Sequence, residues 1–166
     1  MPHPVRRSLT LTLADEAATG RLAAALAPLL RPGDVVALTG DLGAGKTVLA
    51  RALIRTLTGD PDEEVPSPTF TLVQSYDSAA GTVWHFDLYR LSGADEMVEL
   101  GWDESAAEGI ALVEWPDRLG ALLPAERLDI ALEAAADEAR RATLTGHGAW
   151  AGRLAALETL DPETGP

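Results

Sequence analysis

The spacing of polar and apolar positions changes several times along the chain, and each change predicts an element. Serine and threonine alternate with leucine from Ser8 to Leu13, so residues 7–13 predict a half-exposed strand. Asp15 and Glu16 then open a helix with Leu22, Leu26, Leu29 and Leu30 on one face. A turn at Arg31, Pro32, Gly33 and Asp34 leads into Val35, Val36, Ala37 and Leu38. That run is wholly apolar, the pattern of a strand buried on both faces of a parallel sheet. A glycine-rich stretch follows. After it comes a predicted helix over 46–57, with Leu49, Leu53 and Leu57 on one side.

Residues 58–68 are rich in proline, aspartate and glutamate and read as a loop. Two strands are predicted over 70–76 and 82–86, joined by a turn around 78–81. A short helix at 95–100 precedes a second wholly apolar strand at 110–113. Residues 127–134 and 141–145 predict a hairpin around Asp137, and 148–160 a last helix. The expected fold class is α/β, with a mixed, mainly parallel sheet flanked by helices and extended by antiparallel hairpins. One domain over 1–160 and a flexible tail over 161–166 are expected, with no internal repeat or linker.

Composition narrows the setting. No run approaches the roughly 18 apolar residues of a membrane span, so no membrane association is expected. Arg6 and Arg7 precede no apolar stretch, so the N-terminus is not read as a signal peptide. The chain has no cysteine, which excludes disulfides, thiolate metal sites and cysteine catalysis. A cytoplasmic location is expected. The formal net charge of −13 repels nucleic-acid phosphates; it serves solubility alone or, if the protein acts in an RNA pathway, leaves the RNA to a partner. The chain has no asparagine, and Lys46 is its one lysine among 13 basic residues. Lysine has been kept where a compact ammonium, not a planar fork, is needed.

That lysine sits in the strongest motif. Gly40, Asp41, Leu42, Gly43, Ala44, Gly45, Lys46 and Thr47 fit G-x-x-x-x-G-K-[ST] at every fixed position. The glycines let successive N–H groups turn toward one point, and the following helix adds its dipole there. Lys46 can reach the β- and γ-phosphates of a nucleotide, and the Thr47 hydroxyl can ligate Mg2+. The preceding apolar strand and the following amphipathic helix are the context the motif requires, so the domain is expected to be P-loop NTPase-like.

A loop of this kind needs a carboxylate at a neighbouring strand end to help hold magnesium. Glu114 follows the apolar strand 110–113, and Asp87 follows the strand 82–86. Either can serve the metal or its water, or cap the turn that follows. Asp41 reads as support for the loop or for the outer magnesium shell. Ser67, Pro68 and Thr69 can close over the γ-phosphate as a switch does, or form a proline-fixed turn. Trp115 is either a core residue or a partner-facing aromatic. His85 reads as a structural histidine. His3 and His147 lack acidic or histidine neighbours at metal spacing, so no zinc site is expected.

These motifs occur in a fixed order: 40–47, then Ser-Pro-Thr-Phe-Thr-Leu-Val at 67–73, His-Phe-Asp-Leu-Tyr-Arg-Leu at 85–91 and Val-Glu-Trp-Pro at 113–116. From about Leu9 to Leu157 the chain resembles TsaE, the small bacterial ATPase of the tRNA threonylcarbamoyladenosine pathway. The resemblance implies weak ATP hydrolysis alone and work in complex with TsaB and TsaD. TsaD transfers the threonylcarbamoyl group to a tRNA adenosine beside the anticodon. TsaE would supply a nucleotide-driven reset, touching tRNA only through the complex. It implies that Thr47 and Glu114 hold magnesium, that Lys46 binds phosphate and that Thr69 belongs to the switch. It also implies that Asp87 and Trp115 are needed for activity. Glu16 and the stretch 138–141, with Arg140, would lie near the base and sugar. Val48 stands where the family commonly has a second threonine, so only its backbone N–H is left for the α-phosphate.

Two other functions fit the loop less well. A small-molecule kinase needs an arginine-rich lid, and Arg90 is the only arginine between Arg55 and Arg118. A GTP switch would use N-K-x-D, which a chain without asparagine cannot contain.

Overall fold

The computed structural model describes residues 6–68 and 71–160. Thr69 and Phe70, the tail 161–166 and the first five residues lie outside them, so the expectations placed there carry no structural outcome. Among the described residues, seven strands form one sheet in the order β1-β7-β6-β2-β5-β4-β3. They are β1 (Arg6–Leu13), β2 (Val35–Thr39), β3 (Val73–Ser78), β4 (Gly81–Asp87), β5 (Ile110–Glu114), β6 (Leu128–Ala134) and β7 (Arg140–His147).

The middle of this sheet is parallel: β2 pairs with both β5 and β6, and β4 pairs with β5. The outer pairs β3–β4, β6–β7 and β1–β7 are antiparallel. The two wholly apolar runs therefore become the two central strands, buried from Val35 to Leu38 and from Ile110 to Glu114. Central parallel strands have both faces covered, which is why their sequences do not alternate.

Helices cover both faces. On one lie α1 (Glu16–Leu26), α2 (Lys46–Thr58) and α5 (Ala149–Arg153). Leu22, Leu26, Leu49, Leu53, Trp150 and Leu154 pack there against Val36, Leu38, Leu112 and Ile130. On the other lie α3 (Glu96–Glu99), α4 (Trp102–Glu108) and a 3-10 turn at Pro116–Leu122. Phe86, Met97, Trp102, Val113 and Leu119 form the smaller core on that side. Burying this apolar surface is worth about 25 cal/mol per Å², which holds the layers together. Asp15 caps α1, its Oδ1 accepting from Ala18 N at 2.9 Å. No helix among the described residues is long and apolar enough to cross a membrane.

Two expected elements differ, and one helix is additional. The strand predicted over 70–76 begins at Val73 and runs to Ser78. Leu72 holds a left-handed φ of 68°, so the extended backbone starts only after it. The helix predicted over 148–160 is α-helical only at Ala149–Arg153, then tightens into a 3-10 turn at Leu154–Leu157. The helix α4 was not foreseen. Its seven residues follow Gly101, which is left-handed, and present too few apolar positions to show a period. Its anchor is Trp102, packed edge-on against Phe86 with ring centroids 5.2 Å apart.

Candidate functional site

The strands β2, β5, β4 and β6 run in one direction, so their carboxyl ends meet at one edge of the sheet, where α/β folds bind ligands. Residues 40–45 turn from the end of β2 into α2 at that edge. Gly40 has φ 143° and Gly45, the N-cap of α2, has φ 104°. A side chain at Gly40 would lie 2.5 Å from the Leu132 carbonyl, so β6 packs directly against the start of the loop.

Lys46 is buried, with 5% of its surface exposed. Its Nζ donates to the Gly40 carbonyl at 2.5 Å and the Asp41 carbonyl at 2.9 Å, spanning the loop. It also lies 4.3 Å from the centre of the Trp115 ring, a cation–π contact. Burial lowers the Lys46 pKa from the usual 10.5, against the opposing pull of the Glu114, Asp87 and Asp41 carboxylates. Arg140 grips the loop from outside: Nε donates to Ala44 O at 3.1 Å and Nη2 to Gly43 O at 3.3 Å.

Thr47 Oγ1 donates to Glu114 Oε1 at 2.8 Å, joining the first turn of α2 to the end of β5. The hydroxyl proton faces the carboxylate, which leaves the oxygen lone pairs for another partner. Asp87 is the strand neighbour of Glu114. It is buried, and its Oδ1 accepts from Tyr89 N at 3.1 Å. Asp87 thus caps the turn after β4 and also lines the cleft with Lys46, Thr47, Glu114 and Ser67. Both roles foreseen for it are compatible with this placement. Trp115 is half-buried with a left-handed φ of 60° and packs against Tyr89, the rings tilted by 46° with centroids 5.0 Å apart. It packs against the smaller core and faces the lysine, so it is both a core residue and part of the cleft wall.

A second depression opens on the other side of Gly45. Leu13, Glu16, Thr19, Val48 and Leu132 line it together with Arg140. Glu16 and Arg140 are thereby brought to one place from opposite ends of the sequence, because Leu13 pairs with Arg140 at the end of β1. Leu42 stands 70% exposed on the loop. Asp41 presents its carbonyl to Lys46 and its exposed side chain to solvent.

The donor set suits magnesium. Thr47, Glu114 and Asp87 offer hard oxygen atoms only. No three His, Cys, Asp or Glu side chains cluster as a metal cage among the described residues. A magnesium ion here would therefore draw on phosphate oxygens and water as well, its usual manner of binding. His147 meets an acid that sequence spacing does not reveal, Asp129 at 2.9 Å, but Arg127 shares that carboxylate at 2.8 Å.

His85 was read as structural, and its surroundings are more specific than that. Its Nε2 lies 2.7 Å from Glu114 Oε2, with both side chains buried. The sequence held only part of this: His85 is two residues before Asp87 on a strand, so both project to one face, but that Glu114 lies beside them follows from the pairing of β4 with β5.

Residues 13–142 match the family described as threonylcarbamoyl adenosine biosynthesis protein TsaE. The chain is 42% identical over 123 residues to the tRNA threonylcarbamoyladenosine biosynthesis protein TsaE of Rickettsia conorii, covering 74% of this chain and 70% of that one. It is 39% identical over 140 residues to the protein of the same name from Bacillus subtilis, covering 84% of each. Among solved structures, Bacillus subtilis YdiB superposes with a TM-score of 0.70 at 32% identity, over 89% of this chain and 90% of that one.

Proposed function

The chain belongs to the TsaE family of threonylcarbamoyladenosine biosynthesis proteins, and from that premise we propose that it is a magnesium-dependent ATPase serving tRNA modification as an accessory subunit. The observation that carries the proposal is the bond from Thr47 to Glu114. It ties the glycine loop to an acidic strand end in the same cleft as Lys46 and Asp87.

In this reading residues 40–47 form a P-loop around the phosphates. The N–H groups of the loop and the N-terminus of α2 face the β-phosphate, and Lys46 meets the β- and γ-phosphates. Thr47, Glu114 and Asp87 hold magnesium or its waters. When bound, the ion neutralises charge on the terminal phosphates. Asp87 and Glu114 divide the remaining work, one orienting the metal's ligands and the other the attacking water. Adenine and ribose occupy the depression at Leu13, Val48 and Arg140, with Glu16 at its rim. Thr69 contributes to a switch over the γ-phosphate.

The partners are TsaB and TsaD, which hold the tRNA. The acidic surface agrees with a subunit that leaves RNA to others. One domain over 1–160 carries the function in the cytoplasm. The test is steady-state ATP hydrolysis by the purified protein, alone and with TsaB, TsaD and tRNA. The expected result is slow turnover that rises several-fold with the complex, and absence of stimulation rejects the proposal.

A further inference from the structure

Glu114 has two carboxylate oxygens, and among the described residues each meets one donor. Oε1 takes the Thr47 hydroxyl and Oε2 takes His85 Nε2. A carboxylate supplies only lone pairs, so the proton in the 2.7 Å contact belongs to Nε2. That leaves its other nitrogen, Nδ1, buried and without a hydrogen-bond partner among the described residues. His85 itself is fully buried, at 0% exposure. An unpartnered polar atom in a core is unfavourable, and a purely space-filling position on β4 would be better served by an apolar residue such as nearby Val83.

The register explains the meeting. His85 pairs with Leu112 and Asp87 pairs with Glu114 in the parallel ladder, so His85 sits one step behind the two acids on the same face. It is buried behind the cleft, bonded to the Glu114 oxygen that Thr47 does not use.

We propose that His85 is a positioning residue for the magnesium site: it pins one oxygen of Glu114 so that the other is presented to Thr47 and the metal. This rests on the reading of the cleft as a magnesium–nucleotide site. His85 touches neither nucleotide nor metal. Without it the carboxylate can rotate, and Thr47 loses a fixed acceptor. Outer residues that orient metal ligands in this way typically change metal affinity by about 10- to 100-fold when removed.

The test compares His85→Gln, whose amide nitrogen falls near Nε2, with His85→Leu, which has similar volume and no donor. Binding of adenylyl imidodiphosphate is measured by calorimetry with magnesium and with chelator. His85→Leu is expected to bind as the unaltered chain does in chelator, but to lose about tenfold of the gain that magnesium gives. His85→Gln is expected to recover most of that gain.

Unchanged magnesium dependence in His85→Leu overturns the proposal. So does an equal loss with and without magnesium in both variants, which marks a folding role. If His85→Leu does not fold, His85→Asn replaces it, because its shorter amide stops near Nδ1. Equal magnesium dependence of the Asn and Gln variants then overturns the proposal. Failure of the nucleotide-site reading shows separately, as absence of magnesium-dependent binding in the unaltered chain, and the proposal falls with it.

Discussion

Thr47 and Glu114 stand 67 positions apart in sequence and 2.8 Å apart in space. The bond couples the helix that follows the glycine loop to the second central strand, so a change at one reaches the other without intermediate residues.

Removing the acid should therefore separate turnover from binding. In Glu114→Gln the side chain keeps its shape but loses its charge and can no longer support a metal ligand. ATP turnover is expected to fall about 100-fold, while nucleotide affinity changes less than about fivefold, because transition-state charge depends most on positioned metal. Single-turnover hydrolysis and calorimetry measure the two. Full turnover in Glu114→Gln would remove the residue from the site.

Lys46 should give two pH trends of opposite sign. Its folded pKa lies below the usual 10.5 because burial opposes the charge. Above that lowered pKa the ammonium is lost, so triphosphate affinity falls as pH rises, starting below 10.5. Without nucleotide the unfolded chain holds the proton to higher pH than the folded one. Stability therefore rises across the same window. Lys46→Ala should abolish both trends and weaken binding about 100-fold, the loss of two charge-assisted contacts. Calorimetry and thermal unfolding between neutral pH and 10.5 read both, as differences from the variant.

Arg140 holds two loop carbonyls, and its loss should loosen the loop without touching the acids. Arg140→Ala is expected to speed amide hydrogen exchange over 43–46 and to lower nucleotide affinity about tenfold, with both loop hydrogen bonds lost. Unaltered exchange in that segment would show that the loop holds its shape alone.

Arg153 offers a control far from the cleft. Its Nη1 meets the buried Asp34 at 2.6 Å and the Leu29 carbonyl at 3.2 Å, and the guanidinium lies over Trp150. Arg153→Ala leaves Asp34 its bond from the Arg31 N–H at 2.7 Å. The expected loss is about 2 kcal/mol, or about 5 °C in Tm, with nucleotide affinity unchanged.

The glycine loop and its flanking strand and helix were legible because the information is local: eight consecutive residues between an apolar run and a helical period. Glu114 was legible for a related reason, as the acid that ends an apolar strand. The link from His85 to Glu114 was not. It depends on which strand lies beside β5 and in what register, and strand order is set by packing across the whole sheet. Leu72 and α4 were missed for a different reason. A left-handed residue that is not glycine gives no compositional signal, and a seven-residue helix spans barely two turns.

β2 pairs with β5 and β6, both of which come more than seventy positions later in the chain. During synthesis the segment 40–47 therefore emerges long before the strands that bracket it. Until the ribosome has released Ala134, the loop lacks the Leu132 backbone against which Gly40 is packed. A nascent or prematurely ended chain can carry the whole motif and still have no formed cradle. On the proposed function, competence to hold a nucleotide would thus be acquired late, once β6 has been made.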